Sequence, residues 1–143
     1  AHVQKVEAQL AQLPNVERIA HLDDVREAFQ RSRCLLMPCV VEEAFGRAAA
    51  EALIAGLPVL ASDRGALPET VGDGGVILPQ AATLSEWVAA LEALFNDEAH
   101  YQHLVRAALD QATEPSRQVS YVAAQLYDMV HALSAPHGSP DAQ

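Results

Sequence analysis

Short runs of consecutive apolar residues alternate with segments of helical period, and this alternation limits the fold more than any other feature of the chain. The runs are Cys34-Leu35-Leu36-Met37-Pro38, Pro58-Val59-Leu60-Ala61-Ser62 and Gly75-Val76-Ile77-Leu78. A strand without polar alternation is buried on both faces, the condition met in parallel sheets covered by helices. Residues 16–21 form a shorter stretch with Val16 and Ile19, which reads as a further strand. Helical spacing predicts helices over 1–13, 23–33, 46–55, 66–71, 84–96, 98–112 and 116–133. Pro14-Asn15 ends the first of these, and Gly56 followed by Pro58 ends the third. The tail 134–143, rich in Ser, Pro and Gly, carries no pattern and reads as disorder. Residues 1–133 are therefore expected to form an α/β unit, a parallel sheet with helices on both faces. Such sheets bind ligands beyond the carboxyl ends of their strands, which points to the residues after Pro38, Ser62 and Leu78.

The charge narrows the partners. The 143 residues carry a net charge of −10, and Lys5 is the one lysine. Nucleic acid and anionic membranes need the opposite sign, so neither is expected to bind. Cys34 and Cys39 are five apart, on opposite faces of a strand, and read as two unpaired thiols of a reducing cytoplasm. No apolar stretch reaches the roughly twenty residues of a membrane span, and no signal peptide is visible. The first residue is Ala1 rather than Met, so further chain is expected upstream.

The chemistry is concentrated between Pro38 and Pro79. Glu43 lies in the loop after a buried strand, at the expected ligand edge. Gly46 then opens a helix, where the amides of Phe45, Gly46 and Arg47 can donate to sugar oxygens or phosphate. Gly46 has no side chain to hold a ligand away. Glu51 stands mid-helix among alanines. A carboxylate there is costly unless something donates to it, and two ribose hydroxyls would do so. A solvent-facing pair with Arg47, four residues before it, is the other reading, and spacing alone does not choose between them. Ser62-Asp63-Arg64-Gly65 also follows a strand, and Arg64 could reach a phosphate. Glu69 fits better as a stabiliser of its own short helix.

This run resembles the signature of family 4 retaining glycosyltransferases, enzymes of the two-domain GT-B fold. The matching elements are Glu43-Ala44-Phe45-Gly46-Arg47-Ala48-Ala49-Ala50-Glu51, then Ala55-Gly56-Leu57-Pro58-Val59, then Gly65-Ala66-Leu67-Pro68-Glu69. Pro14-Asn15-Val16 and His21-Leu22-Asp23-Asp24-Val25 are similar too, so the likeness spans residues 14 to about 95. It implies the C-terminal, donor-binding, Rossmann-like domain of an enzyme that moves a sugar, hexosyl in type, from a nucleoside-diphosphate sugar to an acceptor with retention. Glu43 would contact the transferred sugar near its reacting centre, with Phe45, Gly46 and Arg47 at the sugar and diphosphate. Glu51 would hold the ribose, and the backbone of His21 and Leu22 would pair with the base. Ala20 stands where the family usually has glycine. The resemblance implies neither a metal nor a cofactor besides the donor, and no Asp-x-Asp is present.

The same resemblance implies missing parts. The family's diphosphate-clamping Arg and Lys precede this segment, as does the N-terminal acceptor domain, so the segment alone is expected to be inactive. In a sheet of order 3-2-1-4-5-6 the four expected strands correspond to 3, 4, 5 and 6. Strands 1 and 2 are lacking, and a homodimer through unpaired strand edges is one way to cover the gap. A non-catalytic nucleotide-sugar-binding or docking module, or a nucleotide-sugar epimerase, are the alternatives. The helical stripe Trp87, Leu91, Leu94 and Phe95 is expected in the core, and His100 with His103 on a solvated face rather than around zinc.

Overall fold

The computed structural model describes residues 2–114 together with 124 and 125. Most of the helix expected over 116–133, and the tail 134–143, lie outside the described residues. The elements are α1 (His2–Leu10), α2 (Arg26–Gln30), β1 (Leu35–Met37), α3 (Arg47–Ile54), β2 (Val59–Ser62), α4 (Leu67–Val71), a 3₁₀ turn (Gly72–Gly74), β3 (Gly75–Leu78), α5 (Leu84–Asn96) and α6 (Glu98–Thr113).

The three strands form one parallel sheet in the order β1-β2-β3. Leu35 pairs with Val59, and Val59 with Gly75. Alternation along each strand divides the core into two layers. Val59 and Ala61 of β2 join Leu35 and Met37 of β1 and Ile77 of β3 on one face, against Ala49, Ala52 and Leu53 of α3, Leu67 and Val71 of α4, and Ala108 of α6. Leu60 points the other way, with Val76 and Leu78, onto Trp87, Leu91 and Leu94 of α5 and Leu104 of α6. Helices thus cover both faces, as the unbroken apolar runs require. β2 is buried at all four positions. Cys34 and Cys39 fall in opposite layers, and burial pushes the Cys34 thiol up. No helix among the described residues is long and apolar enough to cross a membrane.

Three expectations are corrected. Residues 16–21 pair with no strand; Val16 and Ile19 are 39% and 43% exposed. A strand exists only through a ladder partner, and the edge of β1 receives none among the described residues. The second helix is five residues rather than eleven; just ahead of it Asp24 accepts from the Arg26 amide at 2.9 Å, a local bond that competes with the helix ladder at that end. Phe95 leaves the core stripe and is 56% exposed. It lies instead beneath the Arg33 guanidinium, whose carbon is 5.6 Å from its ring centre and 3.8 Å from that of Tyr101. Arg33 also donates to Leu94 O and pairs with Glu98, which fastens the entry of β1 to the α5–α6 corner.

Candidate functional site

The loops after β1 and β2 leave the same edge of the sheet and are joined there. The Ala66 amide donates to Glu43 O at 2.8 Å, and the Thr70 hydroxyl to Phe45 O at 2.6 Å. Beside this junction α3 and α4 border an open cleft of 710 Å³, with Phe45, Arg47, Glu51, Ile54, Glu69 and Thr70 in its lining. The volume is in the range of small-molecule sites. Phe45 and Ile54, 59% and 67% exposed, give it apolar walls, and Arg47 and Glu51 give it charge.

The start of α3 is built by its own sequence. Gly46 is the residue before the first turn, with φ +79°. That left-handed conformation favours glycine, and a Cβ there would fall 2.9 Å from Leu67 Cδ2. The positive φ is thus the constraint that asks for glycine here, with the Leu67 side chain close by. The Gly46 amide is not open, because Glu43 Oε1 accepts from it at 3.2 Å. One oxygen of the Glu43 carboxylate thus meets the backbone just ahead of the first turn. The amides of Arg47, Ala48 and Ala49 occupy the first turn, where no intrahelical acceptor exists; the ladder begins with Ala50 N to Gly46 O.

Glu51 is not buried among methyl groups. α3 turns Ala49, Ala52 and Leu53 to the core, and Glu51 lies on the neighbouring stripe with Arg47, Ala50 and Ile54. Its side chain is 42% exposed and pairs with Arg47 at 3.5 Å. The pair with Arg47 forms on the rim of the cleft. Arg47 and Glu51 thus face the same cleft as Phe45. Glu43 stands behind the helix start, outside the lining.

The remaining residues are dispersed. His21 is largely exposed and 3.3 Å from Asp23, and neither it nor Leu22 lines the cleft. Arg64 turns to Glu42, its Nη1 3.3 Å from Glu42 Oε1, and its buried Nε has no hydrogen-bond partner among the described residues. Glu69 lies in the first turn of α4 as expected and also lines the cleft. Sequence reasoning missed Glu42, whose carboxylate spans the two loops, and Thr70, which ties α4 to the Phe45 carbonyl. Neither belongs to a motif with a spacing rule, and only the meeting of the two loops reveals them.

Comparison with known proteins places this geometry in a context. A family model described as glycosyl transferases group 1 matches residues 1–97. A D-inositol 3-phosphate glycosyltransferase of Corynebacterium aurimucosum is 37% identical over 83 residues, covering 57% of this chain and 19% of its own length. The structure of sucrose-phosphate synthase from Thermosynechococcus elongatus superposes with a TM-score of 0.76 at 21% identity. That match covers 93% of this chain and 34% of the synthase chain, and at this identity it carries the fold. The chain spans well under half the length of either relative.

Proposed function

Because the chain belongs to the glycosyl transferases group 1 family, we propose that it is the donor-binding part of a retaining glycosyltransferase, acting on a nucleoside-diphosphate sugar within a longer protein. The observation that carries this reading is the cleft on α3, lined by Phe45, Arg47 and Glu51 beside the helix start, where Glu43 accepts from the Gly46 amide. In this reading it is the C-terminal, Rossmann-like domain of a family 4 enzyme of the GT-B fold.

In this reading each residue has a task, and the cleft supports those of Phe45, Arg47 and Glu51. Glu51, on the rim, accepts the two ribose hydroxyls, exchanging its solvent-open bond with Arg47 for two neutral donors. Arg47 is then released toward the diphosphate. The first-turn amides of α3 add partial positive charge there. When the nucleoside diphosphate departs, negative charge grows on phosphate oxygens, and these donors stabilise it in the transition state. Glu43 contacts the transferred sugar near its reacting carbon; the acceptor then attacks from the face the diphosphate leaves. Arg64 completes the phosphate contacts, and the backbone of His21 and Leu22 meets the base. The reaction needs no metal or further cofactor in this scheme. The acceptor is bound by another domain, and the protein works in the cytoplasm on a hexosyl donor.

Calorimetry of the full protein with uridine, guanosine and adenosine diphosphates, beside a sugar-transfer assay, tests this reading. Glu51→Gln removes charge-assisted bonds of about 1.5–3 kcal/mol, which weakens the bound nucleotide roughly tenfold to a hundredfold. Glu43→Gln is expected to leave that affinity intact and to cut transfer. Binding without transfer to any acceptor would make this a binding module; no binding at all would remove the assignment.

A further inference from the structure

Glu42 belongs to no motif, yet both of its carboxylate oxygens reach across to the loop after β2. Oε1 lies 3.3 Å from Arg64 Nη1, and Oε2 accepts from the Gly65 amide at 2.5 Å. The residue it holds is packed against Glu43. Gly65 has φ +54°, and a Cβ on it would fall 2.2 Å from Glu43 O. The next amide, Ala66 N, donates to that same Glu43 oxygen. Glu43 in turn spends its carboxylate on the Gly46 amide. The contacts thus run in series from Glu42 through Arg64-Gly65 and the Glu43 backbone to the Glu43 side chain.

We propose that Glu42 is a positioning residue for Glu43, holding the Arg64-Gly65 loop so that the Glu43 backbone has one orientation at the donor. This rests on the reading above, in which Glu43 faces the transferred sugar. Glu42 is 66% exposed at its side chain, so its ion pair with Arg64 is screened and adds little to the fold. The charge-assisted bond to the Gly65 amide is the stronger tie and is directional. A residue that contributes geometry rather than bulk stability alters the rate of reaction more than it alters folding.

The test compares Glu42→Ala and Glu42→Gln in the full protein. Glutamine keeps an acceptor for the Gly65 amide and drops the charge facing Arg64. Amide hydrogen exchange reads the loop directly. Glu42→Ala is expected to lose protection at Ala66 while the amides of β2 keep theirs. Transfer from a panel of nucleoside-diphosphate sugars is expected to fall about tenfold in kcat, while nucleoside-diphosphate affinity does not fall, because Arg64 freed from Glu42 keeps its reach to phosphate. Glu42→Gln should recover most of that rate. Unchanged exchange, unchanged kcat, a Gln variant as slow as the Ala variant, or affinity falling in step with kcat would each overturn the proposal. A parent protein that binds no nucleoside diphosphate and transfers no sugar removes the donor-site reading instead. The exchange comparison then still decides whether Glu42 holds the loop.

Discussion

At Gly65 a single hydrogen atom allows two loops to meet. Its φ of +54° lies in the left-handed region, and the space where a Cβ would go is filled by the backbone of Glu43. Backbone cannot move aside as a flexible side chain can. Gly65→Ala should therefore cost at least the roughly 1–2 kcal/mol of a left-handed L-residue, with the steric overlap added. A lower urea midpoint would show it; an unchanged midpoint would mean that the two loops do not touch. The same junction separates what was legible in the sequence from what was not. The residues of the α3 stripe, Arg47 and Glu51, were found from helical spacing, because spacing alone puts them on one face. The nearness of Gly46 to Leu67, twenty-one residues on, is a contact that no local pattern reveals. Glu42 was missed for the same cause, since its partners Arg64 and Gly65 come from the next strand's loop.

Among the elements, the best specified end is the start of α5. Thr83 and Glu86 form a capping box: the Glu86 amide donates to Thr83 Oγ1, and Glu86 Oε2 accepts from the Thr83 amide at 2.6 Å. Thr83→Ala should destabilise the protein by about 1 kcal/mol, read as a lower Tm. The box also makes a pH dependence. The backbone bond from Thr83, and then its hydroxyl, hold the Glu86 carboxyl below the ordinary glutamate range. Its folded value is thus lower than its unfolded value, so this contribution is full above the unfolded value. It is lost as pH falls through the lowered one. Glu86→Gln should flatten this part of an acid titration followed by circular dichroism; a titration identical to the parent's would show that the cap carries no linkage. The three strands were legible because each is a short apolar run, a property written in the residues themselves; β2 alone is buried at every position, and Leu36 of β1 is exposed. The segment 16–21 has similar residues but no ladder, and pairing is a property of two segments, which one segment cannot display.

For the molecule as a whole, the sheet order has a consequence. β1-β2-β3 matches strands 4, 5 and 6 of a 3-2-1-4-5-6 sheet, so β1 stands where the centre of a full sheet would continue. Leu36 on that strand is 46% exposed, and Leu13, Val16 and Ile19 show comparable exposure. A strand edge that is unpaired among the described residues is a template for pairing with another chain, and exposed apolar side chains favour association. Residues 1–143 produced alone are therefore expected to self-associate at micromolar concentration, as read from the mass in solution scattering. Leu36→Lys should return them to monomers, because a lysine on an edge strand opposes pairing. The charge of −10 sets the direction of a second test. Two copies repel one another at low ionic strength, and salt screens that repulsion over about 10 Å at 0.1 M. Association through apolar residues and backbone bonds should thus strengthen as salt is added, whereas association through ion pairs would weaken. A monomer at every salt concentration would mean that the edge of β1 is protected within this segment.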